Sequence, residues 1–161
     1  MSEPVPSPAD ALRAALAPVL ERIAAAPIEP SLADALAAEL PVDGPLLQAV
    51  RAQVIAGLEA GWLTPREADG VRFGRLAKAG PATHGFGIDA VHMRGPGPGH
   101  THPAGEVDLC FALEGAPTFD GRPPGWTVYP PGSWHVPTVE GGAMAILYFL
   151  PGGQIRFEPK P

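Results

Sequence analysis

A single cysteine, Cys110, is present in the 161-residue sequence, which excludes a framework of intrachain disulfides. Cys110 lies inside an apolar run, which favours a buried thiol and is typical of a protein from the reducing cytosol. No apolar stretch approaches the roughly 20 residues that a membrane span requires, and the N-terminus lacks the basic start of a secretion signal. We therefore expect a cytoplasmic protein with no membrane partner.

Basic residues are also scarce, since 11 lysines and arginines stand against 17 acidic residues, with a formal net charge of −6. Binding to phosphates requires clustered basic side chains, and here these side chains are scattered along the chain. The Gly/Pro run at residues 95–99 is a poor phosphate loop, because prolines remove backbone donors and no helix is predicted to follow. We expect neither a nucleic acid partner nor a dinucleotide cofactor.

The composition changes near the middle of the chain, and the two parts predict different secondary structure. Residues 1–60 are rich in Ala and Leu, with apolar residues at helical spacing and helix start signals at Ser7 and Ser31. Gly61 is predicted to end the last of these helices. Beyond it, apolar residues alternate with polar ones, and Gly and Pro turns separate short strands. The sequence predicts a mainly β protein, with a β-sandwich or barrel at residues 61–161 after a helical segment.

Proline and glycine also predict local breaks in this pattern. Pro18 should kink or divide the first helix, because its ring clashes with the preceding turn. Thr64, Pro65 and Glu67 predict one further short turn of helix. The Gly/Pro run that precedes His100 is predicted to be a loop that delivers this residue to its strand.

Two histidines stand one residue apart at the start of an apolar run. His100 and His102 have the same parity, so on an extended strand both imidazoles face the same side. Glu106 and Asp108 share that parity, and either carboxylate is a candidate third ligand for a metal. His135 follows a Pro/Gly turn that would return a later strand beside the first, which makes it a further candidate ligand.

Imidazole nitrogens together with a carboxylate favour a divalent transition metal, and Fe, Mn, Ni, Co, Cu and Zn all suit such ligands. The alternative is that these histidines are solvated loop residues, or that they hydrogen-bond one another in a polar pocket. The sequence leaves the type of metal open. We expect a metal site built from His100, His102, Glu106 and His135.

The motifs that carry these histidines resemble the two motifs of the cupin superfamily. Its His-x-His with a downstream Glu and Gly, and its Pro-x-Gly-x-x-His, are matched here by HTHPAGE, LEG and PPGSWH. Counting forward from the histidines selects Glu106 as the cupin carboxylate, whereas counting back from Gly115 selects Asp108, so a β-bulge is expected. The resemblance implies a cupin-type jelly-roll barrel, and it suggests a homodimer, because cupins often pair through sheet edges.

Four longer stretches resemble a narrower family, the 4-hydroxylaminobenzoate lyases, which are single-domain cupin-like proteins of bacterial nitroaromatic degradation. The stretches are GWLTPREADGVRFGRL, THGFGIDAVHM, GHTHPAGEVDL and FDGRPPGWTVYPPGSWHVPTVEGG. They fall between residue 61 and the C-terminus, and the resemblance is weak over the N-terminal helices. It implies a lyase that converts 4-hydroxylaminobenzoate, a small aromatic acid, to 3,4-dihydroxybenzoate and ammonia.

That reaction adds water and expels ammonia without a net redox change, so it needs no nicotinamide or flavin. Glu106 and Asp108 are the candidate general acid and base. The substrate carboxylate favours a guanidinium partner. The candidates are Arg72, Arg75, Arg94 and Arg122. Arg75 is the first choice, because its strand parity points it to an apolar face, and Arg72 is the second. Tyr129 is a candidate for stacking on the substrate ring.

Two other functions fit the same motifs. A cupin oxygenase would use the same ligands with a redox-active metal, and it would consume oxygen. A non-enzymatic cupin sensing module, like the metal-binding domain of certain anti-sigma factors, would combine the second motif with a helical segment. The fold alone does not separate these functions, because one scaffold supports many activities.

Overall fold

The computed structural model describes residues 5–161, so residues 1–4 of the predicted helical segment lie outside the described range. The helices are α1 (Pro8–Ala15), α2 (Ala17–Ala24), α3 (Leu32–Glu39) and α4 (Pro45–Ala60). The strands are β1 (Arg66–Ala68), β2 (Val71–Ala77), β3 (Phe86–Met93), β4 (His100–His102), β5 (Glu106–Phe119), β6 (Gly125–Tyr129), β7 (Ser133–His135), β8 (Val139–Pro151) and β9 (Arg156–Phe157). No helix within residues 5–161 has the length and apolar character that crossing a membrane would require.

The helix boundaries follow local sequence signals. The Ser7 hydroxyl accepts a hydrogen bond from the Asp10 amide at 3.1 Å and caps α1, as predicted. Pro18 occupies the first turn of α2 and divides the first predicted helix into α1 and α2. Gly61 ends α4 with a φ of 84°, a conformation that glycine adopts without steric cost. Ser31 precedes α3 but forms no side-chain cap.

Two antiparallel sheets form the β part of the molecule. The large sheet has six strands in the order β1-β2-β3-β8-β5-β6, and the small sheet has three in the order β7-β4-β9. Neighbouring strands in each sheet are often far apart in sequence, as in a jelly roll. The prediction of a mainly β jelly roll with N-terminal helices is confirmed.

The central strands of the large sheet, β3, β8 and β5, are buried on both faces over most of their length, whereas the edge strand β1 is exposed. On the outer face of the sheet, side chains of β3, β5, β6 and β8 join those of all four helices in one hydrophobic cluster. On its inner face, a second cluster includes Val91, Cys110, Ile146 and Tyr148. The Trp126 indole donates a hydrogen bond to the Leu40 carbonyl at 2.8 Å, which fixes the end of α3 against β6. The helices therefore form a third layer that shields the outer face of the large sheet from solvent.

The prediction of a helical turn at Thr64–Glu67 was wrong, because β1 begins at Arg66 and pairs with β2. Asp69 and Gly70 connect these strands with φ values of 53° and 79°. An Asp-Gly pair with two positive φ angles is typical of a tight hairpin turn. This turn signal prevails over the capping pattern that suggested a helix.

Truncating a buried side chain of the helical layer should destabilise the protein. Val19 in α2 is fully buried, whereas Val5 is 91% exposed. Val19→Ala should lower the free energy of unfolding by about 2 kcal/mol, since it removes two methyl groups and leaves a cavity. Val5→Ala is the matched control and should leave it unchanged in denaturant unfolding. Equal effects of the two substitutions would contradict packing of α2 on the sheet.

Candidate metal centre

The small sheet brings the three histidines together, and the large sheet adds the carboxylate. His100 and His102 lie on the same face of β4, and His135 of β7 is the direct cross-strand partner of His100. Directly opposed residues of an antiparallel pair have Cβ atoms roughly 5 Å apart, so their imidazoles meet. Glu106 is the first residue of β5, after a turn in which Gly105 has a φ of 92°. The cluster therefore lies between the two sheets.

One candidate ligand atom from each of these residues lies within 4.8 Å of all the others. Oε2 of Glu106 is 3.0 Å from Nε2 of His102 and 3.7 Å from Nε2 of His135. Oε1 of Glu106 is 3.5 Å from Nε2 of His100. The side chains of His102 and Glu106 have no exposed surface, and that of His135 is 10% exposed.

The hydrogen bonds of the Nδ1 atoms define the protonation of each imidazole. His100 Nδ1 lies 3.1 Å from the Pro98 carbonyl, so Nδ1 carries the proton. His102 Nδ1 lies 2.8 Å from Oγ of Ser133, whose own proton goes to the Pro130 carbonyl, so Nδ1 is again the donor. His135 Nδ1 lies 2.7 Å from a carboxylate oxygen of Asp120.

In the neutral form of each imidazole, Nε2 therefore presents a lone pair to the centre of the cluster. Nε2 of His100 and Nε2 of His135 are only 3.2 Å apart, so the contact is favourable when one of the two imidazoles donates a proton to the other or when a metal cation binds both nitrogens, and it is repulsive when both nitrogens carry only lone pairs. Within residues 5–161, both carboxylate oxygens of Glu106 and Nε2 of His102 are buried without a hydrogen-bond partner. A divalent metal would satisfy every one of these atoms, and the second hydrogen bond of each histidine is typical of metal ligands.

The carboxylate of Glu106 is suited to remain ionised. Burial alone raises the pKa of Glu106, but when the imidazoles of His100 and His102 are protonated, their hydrogen bonding and charge prevail and lower this pKa to about 2. A buried anion of this kind needs a neighbouring positive charge, supplied either by protonated imidazoles or by a metal. Binding of a metal would release those protons.

Asp108 is close to Glu106 but is not part of the cluster of candidate ligands. Its side chain is fully buried, and in the described chain neither carboxylate oxygen has a hydrogen-bond partner. Burial raises the pKa of Asp108 well above its usual range, and the charge of Glu106 raises it further. β5 has a register shift between Ala112 and Glu114, where a bulge was predicted. The geometry therefore favours Glu106 over Asp108 as the carboxylate ligand.

Sequence reasoning missed Asp120, which contacts the cluster from outside. Besides the bond from His135, its carboxylate accepts hydrogen bonds from the Tyr129 hydroxyl and from the Thr138 amide. Burial raises the pKa of Asp120, but these hydrogen bonds prevail and lower it below its usual value. Asp120 and Gly121 have positive φ angles of 50° and 81°, so the Asp-Gly pair was a turn signal that could have drawn attention to this residue.

A cavity of about 750 Å³ borders the cluster at His100. Its other lining residues come mainly from β1, β2 and β3 and include Val71, Phe73, Val91, Met93 and Tyr148. Arg75 lies at this cavity on the same face of β2 as Phe73, as its parity predicted. It forms an ion pair with Asp89, with 2.7 Å between Nε and Oδ1. The pair places charges of both signs in a cavity whose lining is mostly apolar.

Two predicted substrate contacts are not among the residues that line this cavity. Arg72 precedes Phe73 on β2, so its side chain leaves the opposite face of the strand, beside His92. Tyr129 lies next to the cluster, but its ring stacks on His102 with the ring centroids 5.2 Å apart. Its hydroxyl is engaged by Asp120.

Comparison with known proteins gives a family for this chain. The family model described as PnbB, 4-hydroxylaminobenzoate lyase, matches residues 14–157. The chain belongs to the 4-hydroxylaminobenzoate lyase family. The match includes all four candidate ligands and most of the helical segment, where the motifs alone indicated only a weak resemblance.

Two relatives in this lyase family have long alignments with the chain. A 4-hydroxylaminobenzoate lyase of Nocardioides sp. (strain LMS-CY) is 37% identical over 115 residues, which are 65% of this chain and 68% of that protein. A 4-hydroxylaminobenzoate lyase of Pseudomonas putida is 31% identical over 134 residues, 72% of this chain and 76% of that protein. An RmlC-like cupin protein of known structure from Ralstonia eutropha JMP134 is 17% identical, with a TM-score of 0.38, over 53% of this chain and 58% of that one.

Neutral substitutions of the two buried carboxylates should separate their roles. Wild-type protein should take up about one transition metal ion per chain, and Glu106→Gln should lower its metal affinity by tenfold or more. Asp108→Asn replaces a buried carboxyl, whose raised pKa favours the neutral form, with a neutral amide of the same shape, so metal affinity should stay near the wild-type value. Metal per chain, measured by atomic emission after dialysis against a metal buffer, provides the comparison. The reverse ranking would assign the ligand to Asp108.

Proposed function

We propose that this chain is a metal-dependent carbon–nitrogen lyase, which converts 4-hydroxylaminobenzoate or a related hydroxylamino-aromatic acid to 3,4-dihydroxybenzoate and ammonia. Membership of the lyase family supports the reaction class. The observation that carries the proposal is the buried cluster of imidazoles and carboxylate beside a cavity of about 750 Å³. That volume is within the usual range for sites that enclose a small molecule.

His100, His102, His135 and Glu106 would hold the metal through the Nε2 atoms and the carboxylate, and Fe, Mn, Ni, Co, Cu and Zn remain the candidates. When bound, a divalent metal supplies Lewis acidity and a water molecule of lowered pKa. The protein supplies a dry environment for this chemistry, because three of these four side chains are almost fully buried. His100 alone among them lines the cavity, so the substrate would approach from its side.

The cavity has suitable partners for both ends of an aromatic acid. Arg75 uses its Nε and Nη2 atoms for Asp89, so further guanidinium donors remain for a carboxylate. Asp89 fixes the orientation of this guanidinium, which reduces the entropy lost when a carboxylate binds. Val71, Phe73 and Val91 line the cavity with apolar side chains, which suit the ring. The N-hydroxyl group would then lie toward His100.

The proposed reaction consumes one water molecule in total, because one water leaves and two are added along the path. The N–O bond breaks and its oxygen leaves as water, a second water adds to the ring carbon beside the nitrogen, and a third hydrolyses the resulting imine to release ammonia. Glu106 and Asp108 remain the proposed acid–base pair, with Asp108 holding a proton behind the ligand carboxylate. Tyr148 lines the cavity, and its hydroxyl has only the Met93 sulfur, at 3.7 Å, as a partner within the described chain, so it is available to a substrate oxygen.

We also propose a cytoplasmic location and a homodimer. The buried free thiol of Cys110 supports the first, because such thiols are typical of reducing compartments. Resemblance to cupins supports the second.

Anaerobic turnover is the direct test of the proposed reaction. Metal-loaded protein should consume 4-hydroxylaminobenzoate without oxygen or nicotinamide and release ammonia and 3,4-dihydroxybenzoate in equal amounts. In ¹⁸O-labelled water, both ring hydroxyls of the product should acquire label, as measured by mass spectrometry. Label from dioxygen, or turnover only in air, would favour an oxygenase. No turnover by metal-loaded protein would reject this substrate.

Arg75 and Arg72 provide a matched pair for the substrate carboxylate, because they lie on opposite faces of the same strand. Arg75→Met should raise KM for the hydroxylamino acid by roughly tenfold or more, the loss expected for a hydrogen bond between charged groups. Arg72→Met should leave KM near the wild-type value. Steady-state kinetics of both variants test this expectation, and an effect of Arg72→Met alone would move the carboxylate site to the other face of β2.

A further inference from the structure

Asp120 connects three segments of the chain at the edge of the metal centre. One of its oxygens, Oδ2, accepts hydrogen bonds from Nδ1 of His135 and from the Tyr129 hydroxyl. The other, Oδ1, accepts a hydrogen bond from the Thr138 amide at 2.8 Å. These donors lie between 9 and 18 residues away in sequence. The carboxylate is therefore held in place from both of its oxygens.

His135 differs from the other two candidate histidine ligands in the partner of its Nδ1 atom. The partners of His100 and His102 are a neutral carbonyl and a neutral hydroxyl, whereas that of His135 is a carboxylate. A carboxylate partner fixes the tautomer and makes the opposite nitrogen a stronger electron donor. The Nδ1 partner therefore has a larger effect on the tautomer and on the donor strength of Nε2 at His135 than at His100 or His102.

His135 is also the histidine that most needs this support. It ends the three-residue strand β7, which lies at the edge of the small sheet and, within residues 5–161, pairs with β4 alone. Its side chain is 10% exposed, against 1% for His100 and 0% for His102. A short edge strand restrains its residues less than a central strand does.

Tyr129 contacts both His135 and Asp120, and so supports the position of this histidine. Its ring centroid is 4.2 Å from that of His135, and its ring stacks on His102 with an angle of 22° between the planes. Its hydroxyl shares Oδ2 of Asp120 with His135. One tyrosine thus packs against two imidazoles and also holds the carboxylate that orients one of them.

We infer that Asp120 is a positioning residue for the metal centre, which fixes Nε2 of His135 for coordination, and that Tyr129 acts through Asp120 as its support. This inference rests on the metal site of the proposed function and does not depend on the substrate. It gives Tyr129 a role different from the substrate contact that the sequence suggested.

The test is the affinity of the full-length protein for Co²⁺, measured by competition with a chelator. Asp120→Asn should weaken Co²⁺ binding by about 10-fold to 100-fold, the usual cost of losing an outer partner of a metal ligand. Asparagine tolerates the positive φ at this position, so the turn should be retained. Asp69→Asn is the matched control, because Asp69 has a φ of 53° and also precedes a glycine in a tight turn. It should leave Co²⁺ affinity unchanged.

The absorption spectrum of the Co²⁺-loaded protein separates positioning from simple support of the fold. Asp120→Asn should shift the visible d–d bands, because the geometry and donor strength at His135 change, and Asp69→Asn should not. Tyr129→Phe keeps the ring and should produce a smaller loss of affinity, and combining it with Asp120→Asn should add little.

Wild-type affinity and an unchanged spectrum in Asp120→Asn would overturn the inference, whether or not thermal stability falls. Absence of Co²⁺ binding by the wild-type protein would overturn it together with the metal site. Tight Co²⁺ binding without lyase turnover would leave the role of Asp120 supported and reject only the proposed reaction.

Discussion

The convergence of three imidazole lone pairs on one buried carboxylate is the interaction on which the site depends. Nδ1 of each histidine is already engaged as a donor, so in the neutral imidazole Nε2 has a lone pair and no proton to offer its neighbours. Glu106 adds a negative charge in a place without solvent. Such a group of donors is unfavourable until a cation joins it. The rest of the fold therefore has to hold these four side chains together against their own repulsion.

The two sheets and the helical layer provide that restraint. The ligands come from both sheets, so any separation of the sheets would disperse the cluster. Burial of the large sheet on both faces opposes such movement, because the helices cover one side and the inner hydrophobic cluster the other. The turn at Gly105 contributes directly, since a Cβ atom there would lie 2.6 Å from the Ile28 side chain in the connection between α2 and α3. The helical segment thus touches the turn that separates His102 from Glu106.

Local sequence signals were sufficient for much of the fold. Strand parity put His100 and His102 on one face, and the Pro/Gly turn before His135 indicated a returning strand that the structure pairs with β4. The sequence pattern could not choose between Glu106 and Asp108, because both have the same strand parity. The choice requires the distances in the folded structure, where Glu106 and not Asp108 joins the histidines. Asp120 was missed because its Asp-Gly pair indicates a turn but does not show that this turn brings the carboxylate to His135.

The position of β8 has a consequence for the biogenesis of the molecule. β8 is the last of the six strands of the large sheet to be synthesised, yet it lies between β3 and β5. A nascent chain leaves the ribosome from its N-terminus, so the helices and five strands must wait for residues 139–151 before the sheet can close. Pairing between such distant segments is slow compared with local folding. All four candidate ligands are translated before β8, so the sheet that encloses them is complete only after residues 139–151 have been made.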